Sequence, residues 1–204
     1  MSIMENDSVD LLLTDIPYDG VNRKSNGLRN LDKRDADVIT FDLDIFLNDV
    51  VRIVRGSGYI FCGWGQISNI TNMLSNAGLS VRLCVWKKTN PSPMNGQHIW
   101  LSGAEFAVYF KKKNGTFNEH CKNCVWEFPC GRDKQHPTEK PLKLFEYLIN
   151  ASSKENDIVF DPCLGSGTTA VAAKKLNRNY IGIELSPEYV KIAEQRINNL
   201  INTH

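Results

Sequence analysis

Two apolar runs in this sequence end in distinctive loops, and these constrain the possible folds more than any other feature. Val9-Asp10-Leu11-Leu12-Leu13 leads into Thr14-Asp15-Ile16-Pro17-Tyr18, and Asp157-Ile158-Val159-Phe160 leads into Asp161-Pro162-Cys163-Leu164-Gly165-Ser166-Gly167-Thr168-Thr169. Short continuous apolar runs of this kind read as strands buried on both faces, as in parallel sheets covered by helices. In open α/β sheets the loops at the carboxyl ends of such strands hold the ligand.

The rest of the chain supports that architecture. Apolar residues at helical spacing, Phe41, Leu43, Phe46, Leu47, Val50 and Val51, predict a helix that Gly56-Ser57-Gly58 terminates. A strand follows over 59–64, then a helix over 66–77 stopped by Gly78. Residues 79–87 and 105–111 read as two strands with no helical pattern between them, hence an antiparallel hairpin. Further helices are expected over 141–150, 168–176 and from Pro187, where Ser186 caps the start, with a strand over 180–184. The predicted fold is α/β, a doubly wound, mostly parallel sheet with an antiparallel hairpin at one edge.

Composition bounds what such a fold can serve. At 204 residues and 42% hydrophobic content the chain suits one compact domain spanning 1–204. A net charge of +1 gives no global basic field, so any nucleic-acid surface must be a local patch. No long apolar segment could span a bilayer, and the first seven residues have no signal-peptide character, so a cytoplasmic protein with six reduced thiols is expected.

The two loops carry different chemistry. Gly165 and Gly167 allow a tight turn into a helix and a close backbone approach to a ligand, and Glu184 stands about twenty positions on, where such folds hold a ribose through its hydroxyls. The loop lacks the Gly-Lys-Ser/Thr ending of a triphosphate cradle. In the other loop, the Asp15 carboxylate and a neighbouring backbone carbonyl could each accept one hydrogen of an exocyclic amino group while the Tyr18 ring stacks on its base.

With these residues in place, the sequence resembles the amino-group DNA methyltransferases that use S-adenosylmethionine. Asp15-Ile16-Pro17-Tyr18 is similar to their Asp-Pro-Pro-Tyr catalytic motif, and Phe160 through Gly167 to their cofactor loop. His136-Pro137-Thr138-Glu139-Lys140-Pro141 resembles the segment that wraps the methionine end of the cofactor, and Asn179 through Glu184 the ribose-binding strand. Catalytic motif first and cofactor loop last is the circularly permuted order called beta. The resemblance implies catalytic roles for Asp15, Ile16, Pro17 and Tyr18. It implies cofactor contacts for Asp161, Pro162, Cys163, Gly165, Ser166, Gly167, Thr168, Thr169, Glu184, Leu185, His136, Thr138 and Lys140. Asp in first position is the usual form in adenine N6 enzymes, whereas Ser is usual in cytosine N4 enzymes. Order and first residue both speak against the glutamine-modifying relatives. Cytosine N4 or an RNA base, and a non-catalytic DNA-binding subunit, are the alternatives.

The sequence departs from the family pattern at three points. Ile16 replaces a proline, Cys163 replaces a common phenylalanine, and a strand that normally precedes the catalytic strand has no room before Val9, so the sheet should lack one edge strand. DNA contacts are expected from Arg23, Lys24, Arg29, Lys33, Arg34 and Lys88, with Lys87, Lys111, Lys112, Lys113, Arg132 and Lys134 as further candidates. The target-recognition insert, about 111–135, is short, and the resemblance makes a homodimer plausible. Cys121, Cys124 and Cys130, with His120 or His136, have partial zinc-ligand spacing but read as reduced thiols, so no metal is expected. Trp100, Trp126, Phe106 and Tyr109 read as packing residues.

Overall fold

Residues of the first strand, β1 (Val9–Asp15), feed two opposite apolar layers, alternating from Leu11 onward after an irregularity between Val9 and Leu11, and this organises the molecule. Val9 and Leu12 pack with Phe46, Leu47, Val50 and Ile53 of α1 (Leu43–Ile53) and with Ile70 and Leu74 of α2 (Ile67–Asn76). Leu11 and Leu13 point the other way, toward Leu144, Phe145, Leu148 and Ile149 of α3 (Leu142–Ser152) and Ala172 and Ala173 of α4 (Thr168–Lys175). The structure, a computed structural model, describes residues 1–18, 42–93, 96–131 and 140–201.

The remaining elements are β2 (Val54–Cys62), β3 (Ser80–Lys88), β4 (Ala104–Lys111), β5 (Val125–Phe128), β6 (Ile158–Asp161), β7 (Asn179–Gly182) and α5 (Pro187–Ile201). The seven strands lie in the order β5-β3-β4-β2-β1-β6-β7. β1 pairs in parallel with β2 and β6, β6 with β7, and β3 with β5, while β4 runs antiparallel between β2 and β3. The expected hairpin is therefore β3–β4, and the short strand β5 continues the sheet beyond it. At the other end β7 is the last strand among the described residues, and Tyr180 and Ile181 on it are partly exposed.

Local chemistry explains the boundaries. Asp42 caps α1 by accepting from the backbone N–H of Asp44 at 2.9 Å and of Ile45 at 3.1 Å. The Gly56-Ser57-Gly58 run does not separate α1 from β2 as expected, because it lies inside β2. A side chain on Gly58 would meet the Phe110 ring at 2.5 Å and Leu12 at 2.9 Å, so the bare backbone is what lets the core close over the strand. The first residues fold onto α1, where the Arg52 guanidinium donates to the carbonyls of Met4 at 2.6 Å and Met1 at 3.1 Å. No helix among the described residues is long and apolar enough to cross a membrane.

Candidate active site

The loop after β1 is pinned from several directions. The Ile16 N–H donates to the Phe61 carbonyl at 3.1 Å and the Ile16 side chain is buried in the first core layer. Packing thus supplies the rigidity that a proline ring would otherwise give at this position. The Pro17 carbonyl accepts from Gln66 Nε2 at 3.0 Å, and Gln66 Oε1 in turn accepts from the Gly63 N–H at 2.8 Å, with Gln66 only 3% exposed. Tyr18 lies against Gly63, where an added Cβ would come within 3.2 Å of the tyrosine.

Asp15 sits at the centre of a charged cluster. Its Oδ2 accepts from Lys140 Nζ in a short ion pair, while its Oδ1 is buried and has no hydrogen-bond partner among the described residues. Lys140, only 6% exposed, also reaches Glu105 Oε2 at 3.1 Å and lies 5.4 Å from the Tyr18 ring centre and 5.5 Å from that of Phe61. The Tyr18 hydroxyl donates to Glu105 Oε2 at 3.2 Å, and Lys88 Nζ pairs with Glu105 Oε1 at 2.8 Å. Burial pushes the Asp15 carboxyl above its ordinary range despite Lys140. Burial also acts to raise Glu105, but the Lys140 and Lys88 ammoniums outweigh it and hold that carboxyl below its usual range. For Lys140, burial favours the neutral amine, yet Asp15 and Glu105 reverse the balance and keep it protonated. The Tyr18 hydroxyl is raised by burial and the two carboxylates, and stays protonated.

The glycine loop after β6 forms a second centre. Asp161 Oδ1 accepts from the Cys163 N–H at 3.0 Å and Oδ2 from the Thr169 hydroxyl at 2.5 Å, and burial pushes its carboxyl up to about 6. Gly167, at φ +86°, turns the chain into α4, and α5 packs so closely that an added Cβ would lie 2.7 Å from the Ala193 methyl. Gly165, at φ +54°, has open space where a side chain would stand, a cradle that a ligand can enter. Beside it, Glu184 accepts from the Gly165 N–H and the Ser186 N–H, each at 2.8 Å. Each oxygen of that carboxylate thus takes one amide and keeps a lone-pair site that can accept a hydroxyl.

The other predicted residues divide. Ser166, Thr168 and Thr169 are buried, and Arg196 donates to the Ser166 carbonyl and hydroxyl at 2.8 Å each and to the Thr168 hydroxyl at 3.3 Å. Pro162 and Cys163 are half-buried, and burial raises the Cys163 thiol to about 12. Leu185 is 86% exposed. Lys140, expected with the cofactor residues, lies on Asp15, and the ammonium of Lys88, expected on DNA, is paired with Glu105. His136, Thr138, Arg23, Lys24, Arg29, Lys33, Arg34, Arg132 and Lys134 fall outside the described residues. Cys124 and Cys130 pack against the second core layer, and the described residues hold no cluster suited to a metal ion. Trp126 is buried as expected, whereas Trp100 is 95% exposed, because its loop runs over the surface between β3 and β4. Sequence reading missed Glu105, Gln66 and Arg196. An acidic residue near the start of a mostly apolar strand was the one available signal, at Glu105.

Comparison with known proteins fixes the family. The DNA methylase family of N6/N4 type matches residues 9–195. The chain belongs to this family. It is 31% identical to the Type II methyltransferase M2.LlaDCHI of Lactococcus lactis subsp. cremoris, over 94% of this chain and 83% of that protein. The crystal structure of the M1.HpyAVI–SAM complex superimposes with a TM-score of 0.74 at 33% identity, covering 96% of this chain and 90% of that one. The PvuII cytosine-N4-specific DNA methyltransferase, at 20% identity and a TM-score of 0.71, covering 98% of this chain and 87% of its own, shares the fold. The paired loops thus lie on a fold that this DNA methylase shares with a cytosine-N4-specific enzyme.

Proposed function

We propose that this protein transfers a methyl group from S-adenosylmethionine to the exocyclic N6 of adenine in DNA. The observation that carries the reading is Asp15, with one oxygen held by Lys140 and the other buried with no hydrogen-bond partner among the described residues, on a loop whose Tyr18 ring faces the same Lys140 ammonium. An amino group placed there gives a hydrogen to Oδ1, so its nitrogen lone pair is drawn out of the ring and aimed away from the carboxylate. A base inside a duplex is out of reach, so it must be flipped at a cost of a few kcal/mol, and Tyr18 stacks on it once it is in the pocket. The aspartate in first position of the quartet favours adenine over cytosine. Asp15, with its raised affinity for a proton, is suited to receive the one that the nitrogen releases.

Gly165, Glu184 and the loop from Asp161 to Thr169 fit the cofactor, with the open cradle at Gly165 taking its backbone-facing part and Glu184 its ribose. His136, Thr138 and Leu185 are assigned with them. When bound, S-adenosylmethionine supplies an electrophilic methyl on sulfonium. The protein's own contribution is alignment, a term worth up to roughly 7–11 kcal/mol.

DNA approaches over the carboxyl end of the parallel strands. Trp64, 84% exposed just after β2, and Trp100 stand in loops there, and Arg23, Lys24, Arg29, Lys33 and Arg34 follow the catalytic motif in sequence. We assign the whole of 1–204 to one methyltransferase domain working in the cytoplasm, with a second copy extending the short insert at 111–135. Incubating the protein with S-adenosylmethionine and mixed-sequence DNA, then analysing nucleosides by mass spectrometry, should yield N6-methyladenine. No methylated base, or N4-methylcytosine alone, would refute the reading. Asp15→Ala should abolish transfer and leave cofactor binding within about threefold, since Asp15 lies on the acceptor side.

A further inference from the structure

Glu105 is placed by no local motif, yet three groups converge on it from separate parts of the chain. Oε1 holds Lys88 from the end of β3, and Oε2 holds both Lys140, from the segment entering α3, and the hydroxyl of Tyr18. Lys140 is shared in turn with Oδ2 of Asp15. Two carboxylates and two ammoniums form one connected set with no net charge, at the point where the catalytic loop meets β4. We propose that Glu105 is the positioning residue of the methyl-transfer site, holding Lys140 and Tyr18 together so that Asp15 keeps Oδ2 engaged and Oδ1 turned to the target amino group. This rests on the reading that Asp15 receives that amino group.

The physical argument turns on what Lys140 does without Glu105. An ammonium paired with Asp15 alone is free to bridge both carboxylate oxygens, which would consume the acceptor that the base needs. Glu105 draws that ammonium to one side, and the faces of Tyr18 and Phe61 confine it there. The same carboxylate fixes the ring expected to stack on the base, so one residue sets both the acceptor and the stacking surface. Its ionisation is secured by two ammoniums, whereas Asp15 has one, and environments that push two carboxyls in opposite directions divide their roles. Glu105 remains a fixed anion and Asp15 is the group that can take a proton. The other titratable groups facing Asp15 are Tyr18 from its own loop, the Cys62 thiol at the end of β2, and Asp161 and Cys163 from the loop after β6.

The test uses the full chain under single-turnover conditions, with wild-type, Glu105→Gln and Glu105→Asp compared for methyl transfer, for binding of S-adenosylhomocysteine and for the pH profile. A positional error of about 1 Å costs roughly a hundredfold in rate, and that is the loss expected for Glu105→Gln, with cofactor affinity within about threefold of wild-type. Its acid limb should move to lower pH, because the negative charge that raises Asp15 is gone. Glu105→Asp keeps the charge but is one methylene shorter, so it should recover only about tenfold of the loss and stay about tenfold below wild-type, with the acid limb where wild-type has it. Wild-type rate and an unmoved acid limb in Glu105→Gln would overturn the inference and leave the proposed function standing. If Glu105→Gln does not fold, a wild-type rate in Glu105→Asp would overturn it, because a side chain one methylene shorter cannot hold all three partners. No transfer by the wild-type protein would overturn both.

Discussion

Asp161 shows how one buried carboxylate can record the state of the cofactor loop. It accepts from the Cys163 amide and the Thr169 hydroxyl, and burial still lifts it from an ordinary 3.8 to about 6. A raised carboxyl binds its proton more tightly in the native state than in the unfolded chain. Stability therefore falls as pH rises from about 4 to about 6 and is flat with respect to this group above that window. Asp161→Asn removes the term while keeping one acceptor for the amide, and the Thr169 hydroxyl can turn to accept from the new amide nitrogen. The variant should be more stable than wild-type at pH 7.5, by up to about 3 kcal/mol, and by only about 1 kcal/mol at pH 4.5. Urea unfolding at the two pH values checks this, and a constant difference between the proteins at both would contradict it.

At the scale of elements, Gly167 joins loop, helix and neighbouring helix in one backbone position. Its φ of +86° is unfavourable for any side chain, and the Ala193 methyl stands 2.7 Å from where a Cβ would go. Gly167→Ala should cost about 2–5 kcal/mol, combining roughly 1–2 for the left-handed backbone with about 1–3 for overpacking. Adding Ala193→Gly should recover the packing part alone, and full recovery would show that backbone strain contributes nothing. This glycine was legible in the sequence because its role is local, as were the apolar runs of β1 and β6 and the spacing in α1. Gly56-Ser57-Gly58 misled because glycine ends a helix and also lets a strand pass close under an aromatic ring, and only Phe110, fifty-two positions beyond Gly58, distinguishes the two. The strand β5 is four residues long at an edge, too short to show an alternation. The cluster around Glu105 joins residues 15, 18, 88, 105 and 140, so no spacing in the sequence could announce it.

At the scale of the molecule, the acceptor and cofactor loops leave neighbouring strands in the middle of the sheet. β1 and β6 are in register at Leu11 with Val159 and Leu12 with Phe160, and all four side chains are fully buried. The separation of the loops is thus set by the least deformable part of the fold, and a ligand in one half need not reshape the other. Such a ligand binds the native state and not the unfolded chain, so it raises the melting temperature by linkage. At a hundredfold excess over its dissociation constant, S-adenosylhomocysteine should add about 2.7 kcal/mol, or roughly 5–11 °C for a chain of this size. Asp15→Ala should keep that shift, because we assign its carboxylate to the acceptor half. Glu184→Gln should lose most of it at the same ligand concentration, since the carboxylate that braces the Gly165 and Ser186 amides is the group we propose for the ribose. Thermal denaturation of the three proteins with and without ligand gives the answer. Equal losses in both variants would mean that the two loops act as one unit and that the central strands do not insulate them.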